Sequence, residues 1–214
     1  MKYKVGDLFD FKNGLSKGKE FFGKGTPIVK YTDVYKNRRL RACDVSGLVT
    51  CTDKELETLS VLRGDVLFTR TSEVAEEVGL SAVMLDDVKD CVFNGFVIRA
   101  RPRTQMVLPE YSAYCFSVKG FREFVTRNCS FTTRASLSGK TIAEYEIDLP
   151  TIERQREIVK ILDGLYLLCN DLTAGLPAEI AARRKQYEYY RDKLLSFPPS
   201  PRGCGVAGKR KGMA

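Results

Sequence analysis

The feature that most constrains this chain is a long amphipathic segment, residues 151–197, which follows Pro150. Its apolar side chains recur mainly every three or four residues, the pattern of a helix that buries one stripe against another helix. As one continuous helix it would be roughly 70 Å long at ~1.5 Å per residue. Because a small domain cannot cover such a stripe, we expect it to need a partner. The expected dimerisation seam comprises Ile158, Ile161, Leu162, Leu165, Leu168, Leu172, Leu176, Ile180, Tyr187, Tyr190 and Leu194.

The segment is interrupted at Gly175 and Pro177. Proline lacks the N–H group that a helix interior requires, although the first position of a helix tolerates it. We therefore predict two helices, 151–173 and 177–196. The angle between them stays open, because a turn at the break would form a hairpin and a collinear continuation would form a rod. The apolar spacing continues across the break, which indicates one shared packing surface.

The composition narrows the class of protein. Of 214 residues, 43% are hydrophobic, which is enough for a substantial core, and no apolar run is long enough to span a membrane. Without an N-terminal signal core, we expect a soluble cytoplasmic protein. The seven cysteines are scattered without a Cys-x-x-Cys pair, which predicts reduced thiols. There is no histidine, which excludes histidine-based triads and most zinc catalysis.

The formal net charge of +8 is unevenly distributed. Lys and Arg number 23 against 20 Asp and Glu in residues 1–150, 8 against 7 in residues 151–197, and 4 against none in residues 198–214. The last stretch is rich in Pro and Gly and has no apolar periodicity, so we expect a disordered basic tail. This balance permits a nucleic-acid-binding face without requiring one.

Residues 1–150 are typical of a mixed α/β domain, so the fold class expected for the whole chain is α+β with a helical C-terminal part. Runs of β-branched and aromatic residues predict strands at Ile28–Tyr31, Asp65–Arg70, Leu80–Leu85 and Cys91–Arg99, with a last short strand ending at Pro150. Apolar residues spaced by three and four predict helices at Asp53–Leu59, Glu110–Val118 and Phe121–Arg127. The lysine- and glycine-rich stretch Asn13–Gly25 predicts an exposed loop.

Motifs that would carry catalysis are incomplete. The spacing of Gly18–Lys24 copies the start of a phosphate-binding loop, but Gly25 stands where Ser or Thr should hold magnesium. Asp65 together with Asp87 and Lys89 fits an acidic nuclease pattern that is loose enough to arise by chance. We therefore assign no catalytic residue, no metal ligand and no cofactor.

Binding features are better supported. Cationic, hydroxyl and amide side chains recur near the ends of predicted strands, and these groups suit phosphate oxygens and base edges. Each of them taken singly fits an ordinary solvated loop residue. Their recurrence near strand ends is what favours a binding role for the group. The DNA-binding candidates are Lys30, Tyr31, Thr32, Arg70, Thr71, Ser72, Asn94, Arg134, Ser136, Ser138 and Lys140.

The order of these features resembles the specificity subunit of type I restriction-modification systems, with one target-recognition domain and its spacer helix. The resemblance covers residues 3–197. It is carried by Gly14 with Pro27–Val34, by Leu62–Arg70, by the junction Ile147–Val159 and most specifically by Arg183–Phe197. A full family member has two recognition domains and two spacer helices, whereas this sequence has one of each.

The resemblance implies a half subunit with a DNA target-recognition domain at 1–150 and a helical spacer and dimerisation region at 151–197. A homodimer would then read an interrupted palindrome in double-stranded DNA. It would dock modification subunits, which carry S-adenosylmethionine-dependent adenine methylation, and restriction or motor subunits, which carry ATP-driven cleavage. The chain itself would catalyse nothing.

The tail 198–214 does not resemble the family, and read-through after a frameshift is one hypothesis for it. The competing interpretation is a protein–protein interaction module with an oligomerising helix and no DNA specificity.

Overall fold

The computed structural model describes residues 1–170 and 177–196. The side chains of residues 168–170, 177, 178 and 180 are not part of that description. The seam positions Leu172 and Leu176 and the tail 198–214 therefore lie outside the described residues, as do the side chains of Leu168 and Ile180.

Thirteen short strands are distributed through residues 1–150. In chain order they are β1 Lys2–Lys4, β2 Phe9–Asn13, β3 Phe22–Val29, β4 Arg39–Leu40, β5 Gly47–Val49, β6 Val66–Thr69, β7 Thr71–Ser72, β8 Ser81–Met84, β9 Val92–Phe93, β10 Val97–Pro102, β11 Ser130–Phe131, β12 Ala135–Ser136 and β13 Glu146–Asp148. The α-helices are α1 Val5–Leu8, α2 Tyr31–Lys36, α3 Asp53–Leu59, α4 Pro109–Cys115, α5 Lys119–Asn128, α6 Gly139–Ala143, α7 Ile152–Asn170 and α8 Pro177–Leu195.

The largest sheet has five strands in the order β2-β10-β6-β8-β4, and all of its pairs are antiparallel except β4 with β8. Two three-stranded sheets, β5-β3-β9 and β11-β12-β7, and the pair β1-β13 complete the described strands. Within the large sheet, β2 and β6 end at the same end at which β10, β8 and β4 begin. The connecting loops at this end are therefore neighbours in space. We call it the loop end of the sheet.

In the main core, aromatic rings pack edge-on between the sheet and helices α4 and α5. Phe68 on β6 meets the ring of Phe116 edge-on at 5.0 Å between centroids, and Phe116 meets Phe121 at 5.2 Å. All three side chains are essentially fully buried. Offset and edge-on ring pairs of this kind add stabilisation beyond the apolar area that they remove from water.

Local sequence signals explain where several helices begin. Thr52 accepts a hydrogen bond from the Glu55 backbone N–H at 3.3 Å, and the Glu55 carboxylate accepts one from the Thr52 N–H at 2.8 Å. This capping box starts α3 at Asp53, and the predicted helix Asp53–Leu59 is confirmed. Pro109 and Pro177 occupy the first positions of α4 and α8, where their missing N–H costs little.

The strand predictions are confirmed for β6, for β8 and for the last short strand, which is β13, whereas two others have the wrong bounds. The strand predicted at Ile28–Tyr31 ends at Val29, because the Lys30 N–H donates to the Asp33 carboxylate at 2.8 Å and starts α2 at Tyr31. The strand predicted at Cys91–Arg99 is divided by a turn into β9 and β10. Part of the loop predicted at Asn13–Gly25 is strand, since β3 begins at Phe22 and bulges against β5.

The C-terminal segment forms two helices that pack against each other and against the domain. Ile158 and Leu162 are fully buried and Tyr187 is 8% exposed, all within the same core as Phe68. The expectation that the stripe needs a partner outside the chain is therefore wrong for these three seam residues, because the domain and the neighbouring helix cover them. The hairpin, one of the two arrangements left open by the sequence, is the arrangement observed.

Four other seam residues line a groove on the outside of this hairpin. Ile161, Leu165, Tyr190 and Leu194 surround a cavity of about 460 Å³, and we call it the hairpin groove. Ile161 is 43% exposed and Tyr190 is 40% exposed. The seam is thus divided into an inner set that the chain buries itself and an outer set, in which Ile161 and Tyr190 are exposed while Leu165 and Leu194 are half-buried against the core.

The expectations about cysteines, metal ligands, the nuclease pattern and membrane spans can also be compared with the structure. Cys43, Cys51, Cys91, Cys115 and Cys129 are unpaired. Among the described residues, no group of three or more Cys, Asp or Glu side chains is placed to hold a metal ion. Asp65, part of the loose nuclease pattern, is 1% exposed and accepts hydrogen bonds from Arg101 at 2.9 and 2.8 Å. No helix in the described ranges is long and apolar enough to cross a membrane.

Candidate nucleic-acid interface

A cleft of about 740 Å³ opens at the loop end of the five-stranded sheet, above β2, β10 and β6. We call it the polar cleft. Five of the eleven DNA-binding candidates line it, from three separate stretches of the chain. They are Arg70, Thr71, Asn94, Ser136 and Ser138.

The turn between β9 and β10 forms one wall of the polar cleft and is held by hydrogen bonds on every side. The Asn94 N–H donates to the Val29 carbonyl at 3.0 Å and the Gly95 N–H to the Leu15 carbonyl at 2.7 Å. The Asn94 side-chain oxygen accepts from the Phe96 N–H at 2.7 Å. This last bond turns the amide oxygen toward its own backbone and leaves the amide NH₂ without a hydrogen-bond partner among the described residues.

Gly14 makes the close approach of this turn to the end of β2 possible. A Cβ atom at position 14 would lie 2.1 Å from the Asn94 carbonyl oxygen, far inside van der Waals contact. The backbones of the two loops can therefore touch only because residue 14 is glycine. The shape of this wall depends on the absence of one methyl group.

Arg70 follows β6 directly and crosses the floor of the polar cleft. Its Nη1 donates to the Gly95 carbonyl at 3.2 Å, and its backbone N–H donates to the Phe96 carbonyl at 2.8 Å. The side chain is half-buried and makes no salt bridge with any described residue. A guanidinium fixed at one nitrogen keeps its other donors for a phosphate oxygen or a guanine edge.

The opposite wall comes from β7, β12 and the start of α6. Ser136 pairs with Thr71 across the antiparallel β12–β7 ladder. Ser138 caps α6, because its hydroxyl oxygen accepts from the Thr141 N–H at 3.1 Å and lies 2.8 Å from the Thr141 hydroxyl. These hydroxyl groups can donate to or accept from a polar ligand.

The other six candidates do not line the polar cleft. Tyr31 donates to the Glu77 carboxylate at 3.1 Å, and Ser72 donates to the same carboxylate at 2.6 Å. Burial raises the pKa of the Tyr31 hydroxyl. These bonds join α2 and β7 to Glu77 and give both side chains a structural role. The remaining four are half-buried or exposed elsewhere, and they are Lys30, Thr32, Arg134 and Lys140.

Sequence reasoning missed several residues that line the polar cleft. These are Ser16, Lys17, Lys19, Phe96, Asn128, Ser130 and Thr141. The two lysines belong to the predicted lysine-rich loop Asn13–Gly25. Nothing in the sequence indicated that the pairing of β10 with β2 would bring that loop beside Asn94. Lys17 is bound to the Glu55 carboxylate at 2.6 Å, whereas Lys19 makes no salt bridge with a described residue. Phe96, half exposed at the rim, adds an aromatic face.

The junction between the domain and the helical hairpin is polar and specific. The Gln155 side chain is fully buried and fully bonded: its Nε2 donates to the carbonyls of Met106 at 2.7 Å and Pro150 at 3.0 Å, and its oxygen accepts from the Leu108 N–H at 2.9 Å. These bonds fix the first turn of α7 to the loop before α4. The orientation of the helices is thereby tied to the domain.

The sequence of this chain is similar to those of known proteins. A family model described as type I restriction modification DNA specificity domain matches residues 1–182. The chain is 52% identical over 64 residues to the type I restriction enzyme EcoR124I/EcoR124II specificity subunit of Escherichia coli, a match covering 30% of this chain and 16% of that subunit. It is 39% identical over 99 residues to the C-terminus of a putative type I specificity subunit of Mycoplasma pneumoniae, covering 42% of this chain and 68% of that protein.

Among solved structures, the chain is similar to the HsdS subunit from Thermoanaerobacter tengcongensis, with a TM-score of 0.60. The superposition covers 91% of this chain and 44% of that one, at 17% identity. A likeness at this identity is one of fold. The chain thus spans less than half the length of both the E. coli subunit and the solved chain that it matches.

Proposed function

The chain belongs to the family of type I restriction modification DNA specificity domains, and on that premise we propose that it is a non-catalytic, sequence-specific DNA-binding subunit. Residues 1–150 are the target-recognition domain in this proposal, and residues 151–197 are the helical spacer and dimerisation region. The domain reads one half of a bipartite site in double-stranded DNA. Such a subunit acts where the cell keeps its DNA, so we propose a cytoplasmic protein.

The observation that carries this proposal is the convergence of side chains in the polar cleft. Arg70, Asn94 and the hydroxyl groups of Thr71, Ser136 and Ser138 come from distant stretches and face one space. Guanidinium and amide groups are the side chains that most often bind guanine and adenine edges, and hydroxyl groups bind phosphates or bases. A rigid, hydrogen-bonded turn holds the cleft wall, and a rigid site loses less entropy when it binds DNA.

Methylation and cleavage belong to other subunits in this proposal. Modification subunits supply the adenine methyltransferase activity with S-adenosylmethionine, and restriction or motor subunits join through the complex. This chain supplies only the recognition of the DNA sequence. It needs no cofactor of its own, and we assign it none.

A homodimer supplies the second half-site in this proposal. The outward-facing hairpin groove, lined by Ile161, Leu165, Tyr190 and Leu194, is an apolar surface that a second copy can cover. Two identical copies related by a twofold axis would read an interrupted palindrome, and the hairpins between them would set the distance between half-sites. The proposed dimer therefore uses the outer part of the seam and leaves the inner part within each chain.

The test is selection of duplexes from a random library by the purified chain, alone and with methyltransferase subunits, followed by sequencing of the bound fraction. We expect an enriched bipartite motif with inverted half-sites. Methylation or cleavage by the chain alone would contradict the non-catalytic assignment. Binding of partner subunits without any enrichment of sequence would support the alternative, a protein interaction module with no DNA specificity.

A further inference from the structure

A second cleft, of about 500 Å³, lies where the helical hairpin meets the domain. We call it the basic cleft. No Asp or Glu is among the described residues that line it. Five basic residues line it, from α2, β4 and its preceding loop, α5 and α8: Lys36, Arg38, Arg39, Arg122 and Arg191.

The charge of the basic cleft is only partly compensated. Arg39 is bound to the Asp163 carboxylate, and Arg191 is bound to the Asp192 carboxylate at 2.9 Å. Lys36, Arg38 and Arg122 make no salt bridge with any residue in the described ranges. Three positive charges therefore remain around a partly enclosed space, where the low dielectric strengthens their attraction for an anion.

Two of these three cations are held in place. The guanidinium of Arg38 lies 5.4, 5.9 and 5.8 Å from the ring centres of Tyr114, Tyr166 and Tyr187, and its Nη1 donates to the Tyr187 hydroxyl at 2.6 Å. Arg122 donates through Nη2 to the Glu76 carbonyl at 2.6 Å. Its Nη1 is buried without a hydrogen-bond partner among the described residues. Burial also lowers the pKa of Arg122, so a nearby anion would stabilise its charged form.

The basic cleft lies at the same end of the large sheet as the polar cleft. Lys36 and Arg38 precede β4, and Leu80 precedes β8, so these lining residues sit at the loop end. From β10, above which the polar cleft opens, to β4 there are three strand steps. At ~4.8 Å per step the two sites are roughly 14 Å apart. That separation equals about four base pairs of a duplex at ~3.4 Å each.

We propose that the basic cleft binds the phosphate backbone of the same DNA duplex whose bases face the polar cleft. This inference rests on the proposed function and extends it to a second site. Fixed guanidinium groups match phosphate oxygens, and contacts of this kind set the position of a protein on DNA without specifying sequence. The alignment of both clefts along one sheet end favours a long polyanion over a small phosphate compound.

The experiment measures duplex affinity against salt concentration for the full chain and for three variants. The duplexes are the one enriched by selection and one of scrambled sequence. Lys36→Gln removes an exposed cation, and the double variant Lys36→Gln with Arg122→Gln removes two. Lys89→Gln is the matched control, because Lys89 is an exposed lysine in the turn beyond the opposite end of β8. Thermal unfolding of each variant verifies that it folds.

We expect the slope of log affinity against log salt to fall by about 1 for the single variant and about 2 for the double variant. The preference for the selected duplex over the scrambled one should not change, and Lys89→Gln should match the unsubstituted chain. Selective binding with an unchanged slope in both variants overturns this inference and leaves the proposed function standing. Non-selective binding with a reduced slope supports the basic cleft and overturns sequence reading. No binding of any duplex overturns both.

Discussion

The carboxylate of Asp163 on α7 accepts hydrogen bonds from both terminal nitrogens of Arg39 on β4, at 2.5 and 3.2 Å. The Tyr114 hydroxyl donates to the same carboxylate. One acidic side chain therefore joins the edge strand of the large sheet, helix α4 and the helical hairpin. Fork-shaped pairs of this kind are among the stronger and more directional polar contacts in proteins.

Replacing Asp163 should loosen this junction. Asp163→Ala leaves both the Arg39 guanidinium and the Tyr114 hydroxyl without their acceptor, and we expect a loss of about 1–3 kcal/mol in the free energy of unfolding. Urea denaturation followed by circular dichroism measures it. The control is Asp192→Ala, which removes a carboxylate bonded to its own neighbour, Arg191. Equal stability of both variants would contradict a structural role for the Asp163 contact.

Adjacent residues on α7 should respond differently to the same substitution. Leu162→Asp places a charge in a fully buried site and should unfold the domain or cost several kcal/mol. Ile161→Asp places it in the exposed hairpin groove and should leave the unfolding temperature nearly unchanged while it abolishes dimerisation. Light scattering at micromolar concentration distinguishes these effects. A folded Ile161→Asp variant that still forms dimers would exclude the groove as the interface.

One glycine substitution tests the contact between the β2 loop and the Asn94 turn, and a second, on α7, is its control. Gly14→Ala forces a methyl group against the Asn94 carbonyl, and we expect lower stability together with weaker DNA binding. Gly164→Ala on α7 meets no atom within 4 Å and should stabilise the protein by roughly 0.5–1 kcal/mol. Thermal unfolding reports both changes. The prediction fails if the two variants have the same midpoint.

Substitutions of two candidate arginines distinguish the contribution of the polar cleft to DNA binding from that of the surface around it. Arg70→Ala removes the guanidinium on the cleft floor and should cost about 1–3 kcal/mol of binding to the selected duplex, with relaxed preference at one base pair. Arg134→Ala removes an exposed side chain that pairs with Glu73 outside the cleft, and should change affinity little. Competition binding against single-base variants of the duplex is the measurement. Equal losses would show that both residues contribute only general charge.

Thiol reactivity gives an independent measure of the fold. Burial raises the pKa of Cys91 to about 12, so its thiol stays protonated and unreactive at neutral pH, whereas Cys43 is exposed. Of these two thiols, we expect alkylation at pH 8 to modify Cys43 in the native protein and Cys91 only after denaturation. Mass spectrometry of peptides locates the label. Rapid labelling of Cys91 in the native protein would indicate that the sheet around β9 opens readily.

Local signals in the sequence predicted those parts of the fold that depend on neighbours in the chain. Apolar spacing predicted α3 over Asp53–Leu59, and Pro177 marks the beginning of α8. The polar cleft could not be predicted in this way, because Arg70 and Asn94 meet through the register of antiparallel strands. Periodicity likewise revealed the stripe along α7 but not what covers it. Ile158 and Ile161 have the same chemistry, and only the packing of the hairpin decides which of them faces water.

The burial of Gln155 and the contact between Asp163 and Arg39 also bear on how modules of this kind can be exchanged between genes. A crossover at residue 150 would join one protein's domain to another protein's helices. The new pair would be compatible only if the incoming helix carries a glutamine and an aspartate at matching positions. A crossover after residue 196 would move the domain together with both helices and keep every described junction contact intact. Chimeras of the first kind inherit a compatibility requirement, and chimeras of the second kind do not.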